Sequence, residues 1–151
     1  MENRRFGKGF ENYTPEEQSR IALGREVAAE GMVLLENDGT LPLGTGEAVA
    51  LFGVGQIGFH HGGSGSGSTF ADYVVKLPEA MEIAGAVINK ALVAQYTKYC
   101  AEAQKEVEKE PPHMRRGTIP EMVLPDALIA EARKESSVAI ISIVRLAGEG
   151  R

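Results

Sequence analysis

Two short apolar runs, Ala48-Val49-Ala50-Leu51-Phe52 and Val138-Ala139-Ile140-Ile141-Ser142-Ile143-Val144, constrain this chain more than any other feature. Neither is long enough for a helix core, and neither alternates with polar residues. That is the pattern of strands covered on both faces, as in a parallel sheet. Parallel neighbours cannot be joined by a hairpin and need crossovers, usually helical.

The chain supplies helical crossover patterns. Thr14-Pro15-Glu16-Glu17 reads as a helix start, with a hydroxyl to cap, proline at the first helical position and glutamate to complete a capping box. Ile21, Gly24, Ala28, Gly31 and Leu35 then recur three and four apart, a small-residue face suited to close packing on a sheet. Met32-Val33-Leu34-Leu35 reads as a further short strand, and Asn37-Asp38-Gly39-Thr40 as a turn. Residues 77–84 predict a short helix ended by Gly85, and Ala86-Val87-Ile88-Asn89 a short strand. Leu92, Tyr96, Tyr99, Cys100, Ala103 and Val107 mark the apolar face of a longer helix, with charged residues opposite and Pro111 as its stop. Residues 126–136 predict the last helix, feeding the 138–144 strand. The fold class expected is α/β: a three-layer sandwich with a mostly parallel sheet and helices on both faces.

Length and composition agree with one domain over 1–151. It comprises an N-terminal extension (1–13), a glycine-rich loop (53–68) and a proline-rich connection (110–125). A chain of 151 residues can bury roughly 68–70% of the surface it exposes when unfolded. At 43% hydrophobic and 25% charged it is not a disordered tail. A formal charge of -5 argues against nucleic acid, and the one basic cluster, Arg115-Arg116, is too small to reverse the field. The single cysteine, Cys100, cannot pair internally, and it lies on an apolar helix face where a small core residue is expected. A cytoplasmic setting is the default expectation. No segment has the length and apolarity of a membrane span, and 1–5 lacks the apolar core of a signal peptide. A strongly apolar strand left at a sheet edge also invites association into a homo-oligomer.

Three motifs carry chemistry. Gly53-Val54-Gly55-Gln56-Ile57-Gly58 matches G-x-G-x-x-G after a strand, the form of a dinucleotide turn. The residues that follow, His60-His61-Gly62-Gly63-Ser64-Gly65-Ser66-Gly67, do not open a helix, and no acidic strand end arrives about 20 residues on. His60 and His61 donate and accept near neutral pH and suit hydroxyl-rich ligands better than a metal, for which no further ligands cluster. Glu149, flanked by Gly148 and Gly150, follows the 138–144 strand, and open α/β sheets gather ligands at the carboxyl ends of strands. An arbitrary loop glutamate is merely solvated; its position after a strand is what singles this one out.

Three stretches together resemble the C-terminal α/β-sandwich domain of glycoside hydrolase family 3, the β-glucosidase and β-xylosidase group. Residues 25–43, REVAAEGMVLLENDGTLPL, are similar to the family's A-R-E-A-A-x-E-x-[IV]-V-L-L-K-N-x-x-x-L-P-L. Val49-Ala50-Leu51-Phe52-Gly53 with Gly62-Gly63-Ser64-Gly65-Ser66-Gly67 resembles the following strand and glycine-rich loop. Ile141-Ser142-Ile143-Val144-Arg145 with Gly148-Glu149-Gly150 resembles the family's strand and G-E-G loop. The order holds across 20–151.

The resemblance implies a retaining β-glycosidase in which Glu149 is the general acid/base, while the nucleophile is an aspartate of a separate (β/α)8 barrel domain. It also implies that His60, His61, Gly62, Gly63, Ser64 and Arg145 line the sugar site. The expected substrate is a β-linked glucoside or oligosaccharide, with no cofactor and no metal. A subset of the family sets this domain ahead of the barrel, the order expected here, with the sheet completed by strands beyond Arg151. The alternatives are a noncatalytic structural or carbohydrate-contacting domain and a nucleotide-binding module using 53–58.

Overall fold

The structure, a computed structural model, describes residues 10–58, 73–110 and 119–145. These divide into two units, Met1–Gly44 and Thr45–Arg151.

In the first unit a single 3-10 turn, Phe10–Asn12, precedes helix α1, Pro15–Glu30. The capping box forms as the sequence predicts: the Glu17 N–H donates to Thr14 Oγ1, and the Thr14 N–H donates back to Glu17 Oε2 at 2.8 Å. Gln18 fastens the turn to the helix by donating to the Phe10 and Tyr13 carbonyls. No residue of α1 is buried, and Gly24 has no neighbour within 4 Å of a Cβ position. The predicted strand at 32–35 is also absent. These residues form no ladder and Leu35 is 93% exposed; without a paired neighbour, apolar character alone does not make a strand. The turn at 37–41 forms on side chains: Asn37 Oδ1 accepts from the Gly39 and Leu41 N–H groups, Asp38 Oδ1 accepts from Thr40, and Gly39 takes a φ of 102°.

The second unit is α/β. Strand β1 (Ala48–Phe52) is followed by helix α2 (Leu77–Ile83), strand β2 (Val87–Ile88), helix α3 (Lys90–Lys109), helix α4 (Asp126–Glu135) and strand β3 (Val138–Ile141). The sheet order is β2-β1-β3, and both pairings are parallel. On β1, Val49, Ala50 and Leu51 are all buried, so both faces of this central strand are covered. On one face Ala50 and Val54 pack with Leu92, Tyr96 and Cys100 of α3 and Ala132 of α4, with Leu128, Met122 and Leu124 around them. This is the apolar face of α3 that the sequence marks.

Asn89 ties the helices together. It caps α3 by accepting from the Leu92 N–H at 2.9 Å and donates to Glu135 Oε2, at the end of α4, at 3.0 Å.

Strand β3 departs from the expected seven-residue buried strand. The ladder runs only from Val49↔Val138 to Phe52↔Ile141, and Ile141 and Ile143 are 71% and 77% exposed. Two causes are visible. Among the described residues β3 pairs with β1 alone, and β1 itself turns away at Gly53, so nothing remains for 143–144 to pair with. No helix among the described residues is long and apolar enough to cross a membrane.

Candidate functional site

The chain leaves β1 towards β2 on one side and later returns to place β3 on the other. Where connections diverge in this way, a crevice forms outside the carboxyl ends of the two strands, and open α/β sheets bind ligands there. In this protein that place lies between 53–57, after β1, and 142–145, after β3.

The two segments interlock. The Ser142 N–H donates to the Phe52 carbonyl at 2.9 Å, and Ser142 Oγ donates to the same carbonyl at 2.8 Å and reaches the Gly53 carbonyl at 3.2 Å. Gly53 has a φ of 89°, and a Cβ there would lie inside the Ser142 carbonyl oxygen and 2.7 Å from its Oγ. At Gly55 a Cβ would fall 2.7 Å from Val144 Cγ2. Gly53 is therefore required by the approach of one strand's end to the other, while at Gly55 side-chain atoms would have to shift.

After Gly53 the chain makes a single 3-10 turn, Val54–Gln56, pinned by the Gln56 amide donating to the Leu51 carbonyl at 2.7 Å. Gln56 is fully buried, and its Oε1 has no partner among the described residues. The buried Val54 N–H is taken by the Glu121 carboxylate, at 3.1 Å to Oε2 and 3.3 Å to Oε1. Tyr99 donates its hydroxyl to the Pro120 carbonyl at 3.0 Å, near the Glu121 carbonyl at 3.3 Å, and so holds this stretch of the connection on α3.

Burial pushes the Tyr96 phenol above its ordinary pKa, a hydrogen bond with the Gly53 backbone pulls it back, and the Glu121 charge pushes it further up. Burial likewise raises the Cys100 thiol, again with Glu121 adding to the effect. Cys100 is a neutral core thiol, as its place on the helix face suggests.

This geometry speaks against a dinucleotide cradle at 53–58. A cradle needs free backbone donors at the start of a long helix. Here a three-residue 3-10 turn follows the strand, Gly55 is packed against Val144, and a carboxylate already occupies the Val54 donor. No group of three or more His, Cys, Asp or Glu side chains is placed to hold a metal among the described residues.

Of the site residues expected from sequence, Arg145 is described: it is exposed, three residues beyond the Ser142 clasp. His60, His61, Gly62, Gly63, Ser64 and Glu149 lie outside the described residues. Ser142 and Glu121 are the contributors that sequence reasoning did not single out. Ser142 sits inside the apolar run, where a lone polar residue reads as a strand member. Glu121 sits in a proline-rich connection whose only signal is irregularity.

A parallel sheet with both faces of its central strand covered, and with its glycine-bearing turn interlocked with the next strand's end, is consistent with an α/β-sandwich domain. No family model matches the chain. Among known proteins it is 38% identical over 136 residues to β-glucosidase A of Butyrivibrio fibrisolvens and 35% identical over 129 residues to a β-glucosidase of Ruminococcus albus, alignments that take in 88% and 82% of this chain. Among solved structures, β-glucosidase 3B of Thermotoga neapolitana in complex with glucose superposes with a TM-score of 0.80 at 33% identity over 91% of the chain. A β-glucosidase of Paenibacillus barengoltzii superposes with a TM-score of 0.74 at 33% identity over 94% of the chain. Over most of its length the chain is similar to one segment of family 3 glycoside hydrolases of the β-glucosidase type. It spans 16% and 13% of the length of the two sequence relatives, and 19% and 14% of the two structures.

Proposed function

We propose that this chain is the segment of a retaining β-glycosidase that carries the general acid/base loop and part of the sugar pocket. Glu149 is the acid/base, and His60, His61, Gly62, Gly63, Ser64 and Arg145 contact sugar hydroxyls. The nucleophile is an aspartate of a (β/α)8 barrel outside these 151 residues. The observation that carries the proposal is the clasp between Ser142 and the Phe52-Gly53 carbonyls: it joins the stem of the glycine-rich loop to the stem of the G-E-G loop at the point where the sheet reverses. Glu149 follows Arg145 by four residues, a reach of at most about 14 Å.

Retaining hydrolysis uses two carboxyls roughly 5–5.5 Å apart, one attacking the anomeric carbon and the other protonating the leaving oxygen and then activating water. To act as an acid near neutral pH, Glu149 needs a raised pKa. A barrel seated against the loop supplies both desolvation and a neighbouring carboxylate to raise it. A β-linked glucoside or oligosaccharide is the substrate proposed, in keeping with the β-glucosidases that the chain resembles.

The barrel requirement is tested by assay of the purified 151-residue chain. It is expected to release no detectable aryl alcohol from an aryl β-glucoside, whereas robust turnover by this chain alone would contradict the division of the two carboxyls between domains.

A further inference from the structure

We infer that Glu121 is the positioning residue of the turn that launches the glycine-rich segment. The inference rests on reading that segment as part of a sugar site.

Strand β1 ends at Phe52, and the 3-10 turn starts at Val54, so the Val54 N–H belongs to neither the ladder nor the turn's own hydrogen bonds. The residue is buried, and its donor needs a partner that water cannot supply. Glu121, 67 residues away in sequence, offers both carboxylate oxygens. The backbone carrying it is fixed by the Tyr99 hydroxyl on α3. The turn is thus held from the 119–125 connection, which Tyr99 ties to α3, as well as by the Ser142 clasp. A carboxylate at this place also fits a neutral, hydroxyl-bearing ligand and repels an anionic one.

The test uses the product of the whole open reading frame that contains this chain, reading amide hydrogen exchange by mass spectrometry at residue resolution together with the affinity for glucose. In Glu121→Ala the Val54 amide is expected to exchange at least tenfold faster, with Ala50 and Leu51 unchanged, and the glucose affinity to fall at least fivefold. Glu121→Gln keeps an acceptor oxygen and is expected to restore both to within about threefold. Unchanged Val54 exchange in Glu121→Ala overturns the inference, as does acceleration shared equally by Ala50 and Leu51, or a native glucose response that survives a fast-exchanging Val54. If the native whole protein does not respond to glucose while Val54 exchange still depends on Glu121, the sugar-site reading fails and the positioning role stands.

Discussion

Gly53 and Ser142 meet so closely that no side chain fits between them: the backbone at Gly53 has a φ of 89°, and the Ser142 carbonyl occupies the space a Cβ would need. Gly53→Ala therefore combines a strained backbone with a backbone clash and should cost about 2–4 kcal/mol. Gly55→Ala meets side-chain atoms alone, a Val144 methyl and the Ser142 Cβ and Oγ, and should cost about 1 kcal/mol. Gly24→Ala, in an exposed helix with nothing nearby, should instead stabilise α1 by about 0.5–1 kcal/mol. Urea midpoints for the first two, and far-UV helicity for the third, check this ranking. Equal effects at Gly53 and Gly55 would contradict the clasp.

Asn89 joins two helices through one amide. Replacing it with alanine removes the α3 cap and the bond to Glu135, and should cost about 1–2 kcal/mol. Glu135→Gln retains an acceptor and should cost less. The comparison of urea midpoints fails if the two substitutions are equally damaging.

Much of this architecture is legible in the sequence, for reasons that particular residues make plain. The 48–52 strand, the Thr14 cap, the Asn37-Gly39 turn and the face through Leu92, Tyr96 and Cys100 are local patterns, and each forms where the pattern places it. What the sequence does not reveal depends on distant partners. The 32–35 run and the end of the 138–144 run are apolar enough to be strands, but strand formation requires a neighbour: 32–35 joins no ladder, and at 143–144 β1 has already turned away at Gly53. Glu121 acquires its role only because folding brings it to a donor 67 residues earlier. Ser142 is a polar break in an apolar run until its hydroxyl finds the Phe52 carbonyl.

Burial raises the pKa of both Cys100 and Tyr96, so the fold favours their neutral forms. Their contribution to stability is complete below the values these groups have in the unfolded chain, and it is lost as pH rises through the folded ones. Stability should fall on the alkaline side, starting where an ordinary thiol ionises, and Cys100→Ser should delay that fall. A thiol reagent should react slowly with the native chain and quickly in urea. A native reaction as fast as that of a free thiol would contradict the burial.

At the other end of the pH scale, the hydrogen bonds from Thr14 hold the Glu17 carboxyl below its usual range, and those from Thr40 do the same for Asp38. These contributions are present above the ordinary carboxylate values and fade as pH falls through the lowered ones. Far-UV helicity of α1 should therefore decrease on acidification, and Thr14→Ala should lower it at neutral pH and flatten the acid response. An acid profile identical in native and Thr14→Ala chains would count against the capping box as the cause.

The acid/base role of Glu149 is tested most directly in the product of the whole open reading frame that contains this chain, using two β-glucosides that differ in leaving-group ability. With Glu149→Gln, turnover of the poor leaving group should fall by about 10²–10⁴, while the glucoside whose leaving group needs no proton should be cleaved at its first step at close to the native rate. Native turnover of both substrates by a folded Glu149→Gln protein would contradict the account.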